Sequence, residues 1–235
     1  MREVLDRRRK FGIVPSGSTS IDELLGGGYP VSQVVEIYGE SKTGKTQLAL
    51  QAALVAALKG YDVLYVDTEG TFRPERIDSM GKARGLDSGD ALSRIFCVRA
   101  TDTTTQLGTL NLLGEKRELH NCRMIVVDTL TKNFGLEYPG RTNAPKRQGL
   151  LSVYLSNLGR DAFLGRRAVL LTNRVTVVQL GPGSREAHVG GKTVKQMVNL
   201  AIHLTRMGSS VRAALVADDV ETKVAEGVID ARGFN

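Results

Sequence analysis

The 235 residues are 41% hydrophobic and 24% charged, enough for one sizeable core, and they divide into a charged arm or helix at 1–15 and a single α/β domain at 16–235. A formal net charge of +7 argues against basic partners and for a polyanionic one, nucleic acid foremost. Cys97 and Cys122 stand far apart, which excludes a disulfide framework or zinc cluster, and no apolar stretch approaches the ~20 residues of a membrane span, so the expected setting is soluble and cytoplasmic.

In chain order, a basic block at 7–10 is expected as a solvated helix or frayed arm, with a nucleic-acid contact as the alternative. Ser20-Ile21-Asp22-Glu23 reads as a capping box, and Gly26-Gly27-Gly28 stops the short helix that it starts. A strand is expected at 34–38, a helix at 45–58 ended by Gly60, and a buried strand at 63–66 closing on Asp67. Further strands are read at 94–98, 124–127, 168–172, 201–204 and 211–216, with helices at 104–119 and 147–161 between them. Such alternation predicts a mainly parallel twisted sheet flanked by helices, and the closely spaced last strands are expected to run antiparallel.

The chemistry centres on G-E-S-K-T-G-K-T, residues 39–46, in the strand–loop–helix context of a phosphate-binding loop. Gly39 and Gly44 permit backbone geometry closed to other residues, so that successive N–H groups aim at phosphate oxygens, assisted by the positive end of the following helix. The expected nucleotide contacts are Gly39, Glu40, Ser41, Lys42, Thr43, Gly44, Lys45, Thr46 and Gln47, with Lys45 charging the β- and γ-phosphates and Thr46 holding Mg²⁺. Arg123-Met124-Ile125-Val126-Val127-Asp128 closes on the second expected Mg²⁺ residue, Asp128. Thr129 follows it instead of an acid, which leaves Glu69, at the end of the second strand, as the carboxylate to activate water, a turn cap being its plainer use.

D-T-E-G-T-F-R-P-E-R at 67–76, taken with the phosphate loop and S-G-S-T-S-I-D-E-L-L-G-G-G at 16–28, resembles the ATPase core of the RecA/RadA recombinase family, archaeal and eukaryotic branch. The likeness continues through E-Y-P-G-R at 137–141, K-R-Q at 146–148, T-N-R-V at 172–175 and V-G-G-K at 189–192. It implies a RecA-like fold, ATP and Mg²⁺, Glu69 as catalytic carboxylate, Arg76 stacking on adenine, and two DNA-binding loops at about 134–147 and 176–195. The loops carry Arg141, Lys146, Arg147, Arg185, Lys192 and Lys195, basic side chains suited to salt-sensitive phosphate contacts, or else solvated charges kept for solubility. Gly181-Pro182-Gly183 and Gly190-Gly191 predict that the second loop is structureless.

Three departures accompany the resemblance. The family's N-terminal helical domain and its phenylalanine-x-x-alanine docking motif find no counterpart, and in this the chain resembles the short RadB-type paralogues. Arg174 stands where the family carries a glutamine that couples γ-phosphate to DNA, and an arginine, which only donates hydrogen bonds, is expected to bind the nucleotide's phosphate directly. Asp218, from an aspartate-x-proline cap over a neighbour's ATP, lacks its proline. The expectation is a DNA-dependent ATPase of homologous recombination and repair, accessory in kind and slow in hydrolysis, acting on single-stranded and secondarily double-stranded DNA beside a RadA-type recombinase or other recombination proteins. The alternatives are a strand-exchange recombinase core and, from another class, a RecA-fold helicase or clock-like ATPase.

Overall fold

The computed structural model describes residues 12–180 and 183–235, with 177–180 and 183–186 described by backbone alone. The basic block at 7–10 lies outside them. A ten-stranded sheet runs in the order β12-β11-β10-β9-β3-β7-β6-β4-β5, with β8 paired to β7. Its parallel part comprises β3 (Gln33–Gly39), β4 (Asp62–Asp67), β5 (Ile95–Arg99), β6 (Cys122–Asp128), β7 (Ala168–Leu180) and β9 (Leu200–Met207). The continuous apolar runs of these strands are explained by cover on both faces. On β3, Val35 and Ile37 pack into one core with helix α2 (Lys45–Leu58), while Val34 joins the opposite core with helix α8 (Ala144–Leu164).

Helix α2 is buried all round, from Leu48 to Ala57, because it is held between the sheet and the C-terminal segment. Gln51 fixes that segment by accepting from Phe234 N at 2.8 Å and donating to Phe234 O at 3.2 Å. The late strands β10 (Ser210–Ala217), β11 (Val220–Asp230) and β12 (Gly233–Phe234) are antiparallel, as the short connections require. The last two escape the sequence pattern, since β11 is largely exposed and β12 is two residues long. A two-residue strand β1 (Ile13–Val14) pairs with β2 (Tyr29–Pro30), so pairing reaches ahead of residue 16.

Several local expectations need correction. The first helix, α1 (Thr19–Leu25), is capped by Ser18, whose hydroxyl accepts from Ile21 N, and not by Ser20. The helix expected at 104–119 is broken into α5 (Thr103–Gly108), α6 (Leu112–Glu115) and two 3₁₀ turns, in keeping with the weak helix propensity of Gly108 and Gly114. The segment at 176–195 is not structureless. It continues β7 to Leu180, returns as β8 (Gly183–His188) and ends in helix α9 (Gly191–Met197). Its β-branched run at 175–178 favours a strand, and Gly190 and Gly191 start helix α9 instead of abolishing structure. Likewise 134–147 keeps an irregular stretch only between α7 (Lys132–Glu137) and α8.

Candidate functional site

Strands β3, β4 and β6 end at one side of the sheet, where β7 continues past them to Leu180, and a cleft of about 1060 Å³ opens there. It is lined by Gly39, Glu40, Ser41, Lys42, Gly44, Lys45, Thr46, Gln47, Glu69, Arg76 and Arg174. Sequence positions as remote as 39 and 174 thus meet because β3 and β7 are paired neighbours, Gly39 standing opposite Arg174. Both loop glycines are required by geometry. A Cβ on Gly39 falls 2.3 Å from Leu204 O, and Gly44 has φ +99° with Ile229 Cδ1 2.1 Å from where a Cβ would stand. Helix α2 then begins with no acid in its first turn and no side-chain cap, which leaves its N-terminal N–H groups for an anion.

Lys45 folds back on the loop, donating to Gly39 O at 2.9 Å and Glu40 O at 2.5 Å. Burial holds its ammonium below the ordinary lysine value, the nearby Asp128 carboxylate partly opposing this. Thr43 is buried under the loop and donates to Glu40 O at 2.9 Å. Asp128 is buried and takes hydroxyl hydrogen bonds from Thr172, Thr46 and Tyr65, the last at 3.0 Å. Its carboxyl is nevertheless raised, because desolvation exceeds those bonds. A hydroxyl and a carboxylate in contact are hard oxygen donors, so Thr46 and Asp128 fit Mg²⁺ by donor chemistry. Among the described residues no group of three His, Cys, Asp or Glu side chains is placed to hold a metal alone.

Glu69 reaches into the cleft, with Arg174 Nη2 at 2.6 Å from Oε1 and Lys132 Nζ at 3.5 Å from Oε2. Asp67, by contrast, is used locally: it accepts from Gly70 N, Thr71 N and Phe72 N at 2.7 to 3.2 Å and so shapes the turn that presents Glu69. Arg76 is held at the rim by Gln47 Oε1 at 2.7 Å and by the carbonyls of Asp230 and Ala231 at 2.7 and 3.0 Å. Asp218 lies apart from the cleft of its own chain. It occupies the β10–β11 turn, where it and Asp219 take φ of 50° and 66°, and its carboxylate stands 4.0 Å from Lys195.

The basic residues divide in two. Arg141, Lys146 and Lys192 are exposed, Lys146 with its ammonium 4.7 Å over the Tyr138 ring. Arg147 instead ties down its own segment through Tyr138 O and Gly140 O, and Lys195 pairs with Asp219 at 3.0 Å. Arg185 lies on β8, where only the backbone is described. Helix α9 packs on α8, Ser152 Oγ reaching Met197 Sδ at 3.7 Å, so both basic segments gather near one stretch of α8. Three site features were missed from sequence. Lys132 had a usable signal, four residues past Asp128, whereas Arg206 and Ile229 enter the cleft from β9 and β11 with no local pattern to mark them.

Among the described residues no helix is long and apolar enough to cross a membrane. Residues 7–231 match the protein family described as Rad51. The chain is 34% identical over 239 residues to the "DNA repair and recombination protein RadA" of Ignicoccus hospitalis, covering 97% of this chain and 73% of that relative. It is 35% identical over 212 residues to the protein of the same name from Aeropyrum pernix, covering 87% of this chain and 66% of that one.

Proposed function

The chain belongs to the Rad51 family of RecA/RadA-type ATPases, and from that premise we propose that it binds ATP with Mg²⁺ in the cleft, hydrolyses it slowly, and binds DNA as an accessory factor of recombination and repair of the RadB kind. The observation that carries this is the convergence of Lys45, Thr46 and Glu69 on one cleft above the strand ends, with Asp128 buried against Thr46. The α2 N-terminus and Lys45 receive the β- and γ-phosphates, Arg76 faces the base, and Thr46 with Asp128 would hold the metal. When bound, Mg²⁺ supplies charge neutralisation across the phosphates.

Glu69 takes the proton of the attacking water in this scheme. Slow turnover is supported by Lys132, 3.5 Å from Oε2, because a carboxylate engaged in a charge-assisted contact has less capacity for water. Support for DNA comes from the exposed Arg141, Lys146 and Lys192 beside α8 and from the net charge of +7. A second reading, a strand-exchange recombinase core with other recombination proteins as partners, is favoured by the name that both relatives carry. Glu69→Gln tests the site: ATP binding is retained and single-turnover hydrolysis falls by about a hundredfold or more. Unaltered hydrolysis would assign the water to another group.

A further inference from the structure

Two cations close on Glu69, and they are held differently. Lys132 Nζ, 3.5 Å from Oε2, also donates to Thr68 O at 2.8 Å, so it is fastened to the strand end that carries Glu69, and its side chain is 22% exposed. Arg174 Nη2, 2.6 Å from Oε1, belongs to a side chain 60% exposed at the cleft. One contact is built in, and the other faces the space that the triphosphate must enter.

We propose that Lys132 is a positioning residue that anchors Oε2 of Glu69, and that Arg174 is an exchangeable cover on Oε1 which transfers to the γ-phosphate of bound ATP. Resting on the reading of Glu69 as base, this makes the site self-checking. A guanidinium fork binds phosphate as readily as carboxylate, and the terminal phosphate offers three oxygens and more charge than Glu69 does. With ADP no such group is present, so Arg174 stays on Oε1 and water is kept from it. With ATP, Arg174 leaves, Oε1 accepts a proton from water, and the water oxygen bonds to the γ-phosphorus. The bond from that phosphorus to the bridging oxygen breaks, and ADP departs with the electron pair. Lys132, still tied to Thr68 O, keeps Glu69 aimed throughout.

Affinities for ADP and for the slowly hydrolysed analogue ATPγS, measured by calorimetry with Mg²⁺, test the exchange separately from catalysis. Removing the competing carboxylate in Glu69→Gln should tighten ATPγS by about three- to fivefold, the scale of one exposed ion pair, and leave ADP unchanged. The gain should vanish in Glu69→Gln/Arg174→Gln. Lys132→Met should leave both affinities within about twofold and lower the single-turnover rate about tenfold or more, with Lys132→Arg restoring part of it. An unchanged ratio of ATPγS to ADP affinity in Glu69→Gln overturns the exchange even where hydrolysis is lost. A tightened ratio with hydrolysis intact keeps the exchange and removes only Glu69's role as base. Hydrolysis at the natural rate in Lys132→Met overturns its positioning role.

Discussion

Replacing His188 with alanine should destabilise the protein through a residue far from it in sequence. Glu36 lies in the middle of β3, fully buried, and its carboxyl is satisfied by Asn173 Nδ2 at 2.7 Å on one oxygen and His188 Nδ1 at 2.7 Å on the other. His188 closes the β7–β8 hairpin, and its ring also lies 5.3 Å from that of Tyr38. His188→Ala therefore leaves one buried oxygen without its partner, at about 1 to 3 kcal/mol. For a chain of this size that corresponds to a fall in Tm of about 2 to 12 °C. The hairpin itself should persist, because Val189 N still donates to Arg174 O at 2.9 Å and Asn173 Nδ2 to Val189 O at 2.7 Å. Scanning calorimetry on His188→Ala, Glu36→Leu and the double variant isolates the pair. A coupling of about 1 kcal/mol or more is expected, so that the histidine loss costs little beyond its ring packing once Glu36 is gone. Strictly additive effects would refute the role given to this hydrogen bond.

Other expected outcomes follow from the placement of the charges. DNA binding should be salt-sensitive and largely indifferent to sequence, and alanine at Arg141, Lys146 or Lys192 should each flatten the log–log salt slope by about 0.7 to 0.9. Arg147 and Lys195, already engaged within the protein, should contribute less than these three, and equal effects across all five would contradict that division. Because burial lowers the Lys45 ammonium from 10.5 and a bound triphosphate favours its charged form, ATP binding should take up protons and weaken as pH rises, from below the ordinary lysine range. Calorimetry in buffers of differing ionisation enthalpy reads this uptake directly. Proton release on binding would reverse the sign derived for Lys45.

The parts of the site that lie within one run of sequence were legible, and those assembled from distant strands were not. Residues 39–47 announce the phosphate loop because glycine geometry, helix start and lysine are consecutive, and the β3 and β6 strands are apolar runs that end on chemistry. The pairing of Glu69 with Arg174 depends instead on which strands are neighbours. Lone sequence features give no such order, so an arginine expected at phosphate is found on a carboxylate. Ile229 is crowded against Gly44 only because the end of β11 reaches the start of α2, a contact across most of the chain. The segment at 176–195 was misread for a different reason: glycines that cap and begin a helix, as Gly190 and Gly191 do, look in one dimension like glycines that abolish structure.

Nucleotide calorimetry on Lys45→Ala tests the central claim most directly. The variant loses the ammonium that folds over the loop carbonyls of Gly39 and Glu40 and that would charge the β- and γ-phosphates, in a cleft formed around it. Loss of tight MgATP binding, with the fold intact by circular dichroism, is the predicted result. Affinity equal to that of the natural protein would contradict the assignment of the cleft as the nucleotide site.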